Sequence, residues 1–170
     1  MTNGLYDAKD EDIIIISDID EIPNLKNINF KNVENTVYAF RQIHSMYKFN
    51  LIRENEWLGT KLCSFNKLKT PEWLKRLKLH KRYSKLRIDK LFSKNYTSNF
   101  KIIENGGWHF GWLRISESIK KKLESYCHTE HNTEELKNIK LIDYCIQNKI
   151  NFFDHNEKLL HKKDIFYLPE

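Results

Sequence analysis

The stretch DIIIISDIDEIPN, residues 12–24, places four consecutive isoleucines directly before a cluster of acidic residues. A short apolar run bounded by polar residues is typical of a strand buried in a parallel sheet. Pro23 then forces the chain to turn, because proline cannot continue the hydrogen-bond ladder of a central strand. We therefore expect a buried parallel strand at residues 12–16, with the acidic residues at its carboxyl end, where open α/β sheets bind their ligands.

Asp18 and Asp20 are separated by one residue, so an extended backbone would place both carboxylates on the same side. Two neighbouring carboxylates repel each other unless a cation lies between them. Hard oxygen ligands suit Mg²⁺ or Mn²⁺, which keep several waters and bind substrate phosphates. The spacing favours a metal–diphosphate site, and an acidic turn that caps backbone amides is the alternative. A second D-x-D pattern, Asp10-Glu11-Asp12, precedes the apolar run and is expected to be solvated.

The stretch ENGGWHFGW, residues 104–112, contains three of the five glycines and two of the four tryptophans. Gly106 and Gly107 allow a close backbone approach or a positive φ. Trp108 offers a flat face for a sugar ring or a base, and His109 can bind a metal or carry a proton. The alternative is a tight hairpin with a core tryptophan and a hydrogen-bonded histidine.

A third polar cluster, SYCHTEHN at residues 125–132, contains His128, Glu130 and His131. A histidine and an acid two residues apart can serve a metal or act as a base. A solvated loop between two helices is the alternative interpretation of the same residues.

Apolar periodicity and turn signals predict a mixture of strands and helices, which is typical of an α/β domain. The 170 residues are 40% hydrophobic, enough for one domain with a core, and no linker divides them. Thr70-Pro71 starts a predicted helix that runs to about residue 79. Further helices are predicted from Ser116 or Ser118 to about 126 and over 133–148, where Asn132 and Glu135 have the spacing of a capping box. Strands are predicted at 36–43 and 45–52, which could pair as a hairpin, and at 57–65, 100–104 and 108–113.

The net charge of +6 permits polyanionic partners without choosing among them. Residues 67–94 contain eleven Lys or Arg against two acids, so a nucleic-acid-binding helix is one interpretation of this segment and a solvated basic face is another. The three cysteines are far apart and lack metal-site spacing, which favours free thiols. No signal peptide or membrane-spanning apolar run is present. We therefore expect a cytoplasmic chain without a transmembrane segment.

The three clusters DIIIISDIDEIP, NGGWHFGW and HTEHN, in this order, resemble glycosyltransferase family 17. The best-known members are the β-1,4-mannosyl-glycoprotein 4-β-N-acetylglucosaminyltransferases. The resemblance covers roughly residues 8–155; its most specific block is S-D-x-D-E-I-P, followed by G-G-W-H. It implies a metal-dependent, inverting transferase that moves N-acetylglucosamine from UDP-GlcNAc to a hydroxyl of a glycan or glycoprotein. The implied fold is a GT-A-like nucleotide-sugar transferase sheet with flanking helices, and the implied cofactor is Mn²⁺ or Mg²⁺.

Each matching position receives a role from this resemblance. The general base would be Glu130, and Asp20 would be a second catalytic residue. The metal would be held by Asp18 and Asp20, with His128 or His109 completing its shell. The donor would be bound by Asp18, Glu21, Gly106, Gly107, Trp108 and His109.

The resemblance also implies strands before the D-x-D strand, because the nucleotide binds there in GT-A enzymes. Residues 1–11 are too short to supply them, so we expect a single partial transferase domain over residues 1–170 that lacks its N-terminal strands. Two other classes remain: a non-catalytic carbohydrate-binding member of the family, and a basic nucleic-acid-binding protein.

Overall fold

The computed structural model describes most of the chain and gives it a mixed α/β structure. No helix in this described part is long and apolar enough to cross a membrane. The described residues are 2–26, 28–33, 36–77, 100–125 and 133–161. In chain order the strands are β1 Ile13–Ile16, β2 Glu21–Pro23, β3 Val37–Met46, β4 Lys48–Ile52, β5 Trp57–Ser64, β6 Phe100–Ile103, β7 Gly107–Trp112, β8 Ile150–Asn151, β9 Asp154–Lys158 and β10 Leu160–His161, and the helices are α1 Pro71–Arg76, α2 Ser116–Glu124 and α3 Ile139–Asn148.

The chain was expected to be one domain, and its internal contacts group into two compact units. The first unit comprises Met1–Gln42 and Leu58–Gly107, and the second comprises Ile43–Trp57 and Trp108–Glu170. Strand β3 contributes its first six residues to the first unit and its last four to the second.

In the first unit β1 pairs with β5, β5 lies beside β3, and β6 pairs with β3 in parallel. The helix start predicted at Thr70-Pro71 is confirmed, because the Thr70 hydroxyl accepts a hydrogen bond from the amide of Trp73 at 3.0 Å. Helix α1 ends at Arg76, before residue 79. Apolar side chains of these elements form two clusters: Val37, Cys63, Trp73, Leu74 and Leu77 in one, and Val33, Tyr38, Phe40 and Leu62 in the other.

Strand β1 corrects the first expectation from the sequence. Residues 13–16 do form a strand, but it pairs antiparallel with β5, from Ile13 opposite Ser64 to Ile16 opposite Lys61. Within the described residues β5 is its one partner strand, and Ile15 is 37% exposed. The prediction of a buried parallel strand was therefore wrong, because four isoleucines fit a half-buried antiparallel strand as well.

In the second unit β3 and β4 form the predicted hairpin, with β10 paired to β4 and β7 parallel to β3. Tyr47 connects the two hairpin strands at φ 63°, a conformation that bulky residues rarely adopt. Its hydroxyl donates to the carbonyl of Ile150 at 2.8 Å and accepts from the amide of Phe152 at 3.0 Å. Burial raises the pKa of Tyr47. The surrounding core consists of Met46, Tyr47, Leu51, Trp112, Ile119, Leu123, Ile142, Cys145, Phe152 and Leu159.

The third predicted helix is shorter than expected. It begins at Ile139, where the Asn138 side chain accepts a hydrogen bond from the amide of Lys140, and ends at Asn148, followed by the cap residue Lys149 in the left-handed conformation. Residues 133–138 form turns, in which the Thr133 hydroxyl accepts a hydrogen bond from the amide of Leu136. The predicted helix start at residue 133 was wrong, because Asn138 supplies the N-cap and the helix begins at Ile139. Asn132, the predicted cap, lies outside the described residues.

Candidate functional site

Asp18 and Asp20 lie in a turn of the first unit between β1 and β2. We call this turn, together with β2 and Asn24, the carboxylate turn (residues 17–24). The amide of Glu21 donates to the carbonyl of Asp18 at 3.0 Å, so the backbone reverses between them. The expectation of an extended backbone was therefore wrong, and strand alternation does not set the directions of the two aspartates. Asp18 and Asp20 are both half-buried, whereas Ile19 between them is fully exposed.

Glu21 is the buried acid of this turn, with 8% of its surface exposed. Its carboxylate oxygen Oε2 accepts hydrogen bonds from the amide of Asp18 and from the hydroxyl of Thr60, both at 3.2 Å. The hydroxyl oxygens of Thr60 and Ser17 lie 2.7 Å apart, and Ser17 donates to the carbonyl of Glu21. Glu21 thus ties both ends of the turn to β5 and holds Asp18 in place.

Gln42 extends this network from β3. Its amide nitrogen donates to the hydroxyl of Thr60 at 3.2 Å, while its oxygen Oε1 is buried without a hydrogen-bond partner among the described residues. A Cβ added at Gly59 would overlap that oxygen and would lie 2.6 Å from Oε1 of Glu21. A side chain at this position would therefore displace the carboxamide of Gln42 or the carboxylate of Glu21.

Two lysines bring positive charge to the carboxylate turn. Nζ of Lys75, from α1, lies 2.5 Å from Oδ1 of Asp18. Lys61, from β5, is 7% exposed and donates to the backbone carbonyl of Lys75 at 2.7 Å. Burial lowers the pKa of Lys61, as does the Lys75 ammonium, whereas the carboxylates of Glu21 and Asp18 act in the opposite direction.

The paired glycines of the second cluster pack against the carboxylate turn. The amide of Asn24 donates to the carbonyl of Gly106 at 2.9 Å, and the Asn24 side chain donates to the carbonyl of Asn105 at 3.3 Å. Gly107 has φ 120°, and a Cβ there would overlap the carbonyl oxygen of Ile22. The two sequence blocks singled out first therefore meet through their backbones.

The glycines do not form the alternative tight hairpin. Strand β6 pairs with Val37–Phe40 in parallel, and β7 pairs with residues 43–46 in parallel, so both strands run in the same direction as β3. The segment between them departs from regular strand geometry at Asn105, with φ 50°, and at Gly107. The close approach that glycine permits is here to protein backbone.

His109 and Trp108 belong to the second unit, where β7 places His109 opposite His44 of β3. The two imidazole rings lie 4.3 Å apart between centroids, and Trp57 stacks on His109 at 4.7 Å. We call His44, Trp57 and His109 the imidazole stack. Both histidines are buried, while Trp57 is 39% exposed. Trp108 is buried too, and its Nε1 lacks a hydrogen-bond partner in the part of the chain that the structure describes.

An ion pair lies beside the imidazole stack. The guanidinium of Arg53 makes a bidentate contact with the carboxylate of Glu157, at 2.7 and 2.9 Å, and this hydrogen bond lowers the pKa of Glu157. Burial lowers the pKa of His44 to about 3, with contributions from the neighbouring His109 and Arg53. Nε2 of His44 has no hydrogen-bond partner among the described residues. His44 is therefore a neutral imidazole at pH 7.

Some predicted site residues lie outside the described part of the chain. These are His128, Glu130 and His131, together with most of the basic segment 67–94. Sequence analysis missed His44, Gln42 and Thr60, although one signal was present. Tyr38, Phe40, Gln42 and His44 follow each other at every second position of β3 and are all buried. Polar residues that continue an apolar face of a strand indicate a buried polar site.

The carboxylate turn contains donor atoms of the chemical type that Mg²⁺ and Mn²⁺ bind. Asp18 and Asp20 offer hard oxygen ligands, and Lys75 already pairs with Asp18 as a metal cation would. No group of three His, Cys, Asp or Glu residues encloses an ion site within the described ranges.

Comparisons of the chain with family models, with curated proteins and with solved structures find no match. The case for a function consequently depends on the residues and their geometry.

Proposed function

We propose that this chain is a metal-dependent, inverting glycosyltransferase with a GT-A-like fold. It transfers N-acetylglucosamine from UDP-GlcNAc to a hydroxyl of a glycan or glycoprotein. The observation that carries the proposal is the backbone contact between residues 22–24 and the Gly106-Gly107 segment. The two blocks with the most specific resemblance to glycosyltransferase family 17 are 81 residues apart at Asn24 and Asn105, and they support each other in space.

The carboxylate turn would bind the donor through its diphosphate. Asp18 and Asp20 would hold Mn²⁺ or Mg²⁺, which when bound neutralises negative charge on the UDP leaving group. Glu21 positions Asp18 by accepting the hydrogen bond of its amide. Ser17 and Thr60 keep that carboxylate from rotating away, because both hydroxyls lie within its hydrogen-bond network.

The remaining roles belong to residues near the sugars. Glu130 is the proposed general base, which would take the proton from the acceptor hydroxyl as that oxygen attacks the anomeric carbon. Gly106, Gly107, Trp108 and His109 are the proposed donor-binding residues, as the resemblance implies. His128 is the proposed third protein ligand of the metal.

Calorimetric titration with UDP-GlcNAc, with and without Mn²⁺, tests this function. We expect Mn²⁺-dependent binding that falls by about a hundredfold or more in Asp18→Asn/Asp20→Asn, because each neutralised carboxylate removes a charged ligand. The matched control is Asp10→Asn/Asp12→Asn, which changes the same charges in the D-x-D pattern before β1 and should bind as the unaltered protein does.

The other outcomes point to other functions. Sugar binding that ignores Mn²⁺ and both double variants would support the carbohydrate-binding alternative. Binding of nucleic acid that weakens steeply with salt, with no response to UDP-GlcNAc, would support the nucleic-acid alternative. If the unaltered protein binds no UDP-GlcNAc at any Mn²⁺ concentration, the proposed function is wrong.

A further inference from the structure

The carboxylate turn contains alternating charges contributed by separate elements. Asp18 and the buried Glu21 are acidic, and Lys75 of α1 pairs with Asp18. Burial lowers the pKa of Lys61 of β5, and the carboxylates of Glu21 and Asp18 act against that decrease. Lys61 also donates to the backbone carbonyl of Lys75, which fixes the last turn of α1 against β5. The backbone that carries the Lys75 side chain is therefore held by the fold.

Such an arrangement is complementary to another pair of opposite charges. A metal ion bound to phosphate presents a cation that could take the place of the Lys75 ammonium on Asp18. Its phosphate oxygens could in turn take the place of the Asp18 carboxylate opposite Lys75. Lysine suits this exchange, because its ammonium is a compact charge on a flexible four-carbon stem.

We propose that Lys75 is the resident counter-ion of the metal site and becomes a diphosphate ligand when the metal binds. This inference rests on the proposed function, because it assigns the diphosphate of a nucleotide sugar as the anion. It explains why a metal-binding carboxylate is paired with a lysine: the ammonium keeps Asp18 in place until a metal–diphosphate complex replaces both interactions.

The exchange predicts that one substitution changes two affinities in opposite directions. Lys75→Met removes the ammonium that competes for Asp18, so Mn²⁺ alone should bind about threefold more tightly, the amount expected for a half-exposed ion pair. UDP in the presence of saturating Mn²⁺ should bind about tenfold more weakly, because a charge-assisted hydrogen bond to phosphate is lost. Lys75→Arg retains a positive charge and should restore UDP binding at least in part.

Free Mn²⁺ is counted by electron paramagnetic resonance, and UDP binding is measured by calorimetry on the full chain. The matched control is Lys69→Met, which removes an equal charge from a lysine that lies over the ring of Trp73, 5.4 Å from its centroid. That variant should leave both affinities unchanged. A purely structural role of Lys75 would lower both affinities in Lys75→Met together.

The possible failures are distinguishable. If Mn²⁺ and UDP bind, and Asp18→Asn abolishes Mn²⁺ binding while Lys75→Met changes neither affinity, Lys75 is not a ligand and the proposed function stands. A loss of both affinities in Lys75→Met likewise overturns the counter-ion role alone. If the unaltered protein binds neither Mn²⁺ nor UDP, the proposed function and the role of Lys75 are both wrong.

Discussion

The carboxylate turn of the first unit and the imidazole stack of the second each bury a titratable side chain, but they compensate for burial differently. Glu21 accepts hydrogen bonds from an amide and a hydroxyl, and lysines lie nearby. His44 has a buried Nε2 that lacks a hydrogen-bond partner in the described residues, and its neighbours His109 and Arg53 disfavour its protonated form. The two regions therefore accommodate a buried polar side chain in different ways: Glu21 has hydrogen-bond donors, and His44 is held in its neutral form.

The largest effect is expected from breaking the backbone contact behind the carboxylate turn. Gly107→Ala would place a Cβ against the carbonyl oxygen of Ile22, at a φ of 120° that other residues rarely adopt. The overlap is with main chain, which cannot rotate away as a side chain could. We expect the free energy of unfolding to fall by about 3 kcal/mol or more, measured by urea denaturation.

Gly4→Ala is the matched control, because nothing lies within 4 Å of a Cβ added there. It should change the free energy of unfolding by less than about 0.5 kcal/mol. Equal stability of the two variants would mean that the contact between residues 22–24 and Gly106-Gly107 is not formed as described.

The next effect concerns the imidazole stack and depends on pH. His44 takes up a proton near pH 6.5 when unfolded but only near pH 3 when folded, because its burial disfavours the charged ring. Its contribution to stability is fully present above pH 6.5 and is lost as the pH falls from 6.5 towards 3. Between pH 6.5 and pH 5 this loss amounts to about 2 kcal/mol, at about 1.4 kcal/mol per pH unit.

Urea denaturation across this pH range, with His44→Phe beside the unaltered protein, measures that slope. The phenylalanine ring keeps an aromatic neighbour for His109 and cannot take up a proton. Between pH 6.5 and pH 5 the free energy of unfolding of this variant should therefore fall by about 2 kcal/mol less than that of the unaltered protein. His155→Gln, which replaces an exposed histidine of β9, should keep the full slope. Identical slopes for the unaltered protein and His44→Phe would contradict a neutral buried His44.

Local signals in the sequence predicted elements better than they predicted pairing. The cap at Thr70, the hairpin of β3 and β4 and the strand at residues 13–16 all follow from nearby residues, and all are present. The antiparallel pairing of β1 with β5 depends on residues some fifty positions away, and periodicity does not specify it. The start of α3 was also not decided by local sequence, because Asn132 and Asn138 are both suitable N-cap residues and the structure uses Asn138.

In the candidate site, too, the sequence identified local segments but not the contacts between them. Glycine, aspartate and proline in DIDEIP and NGG identified two unusual backbone segments, but their contact required the fold. Lys61 and Lys75 carry no local signal, because lysines are common in this chain and only the structure brings these two to Asp18. His44 was missed for a similar reason: it becomes notable only opposite His109, across two parallel strands.

The smallest effect sharpens the comparison, because it should disturb the first unit alone. Thr70→Ala removes the hydroxyl that accepts the amide hydrogen of Trp73, and a six-residue helix such as α1 gains little stability from its own length. We expect a loss of about 1 kcal/mol in urea denaturation, whereas Thr70→Ser, which keeps the hydroxyl, should lose far less. Equal losses in both variants would rule out the cap.

The pH slope assigned to His44 should be the same in Thr70→Ala as in the unaltered protein, since that slope comes from a buried imidazole among β3, β7 and Trp57. A changed slope would mean that the two regions do not respond independently, and the ionisation of His44 would then have to be explained together with the stability of α1.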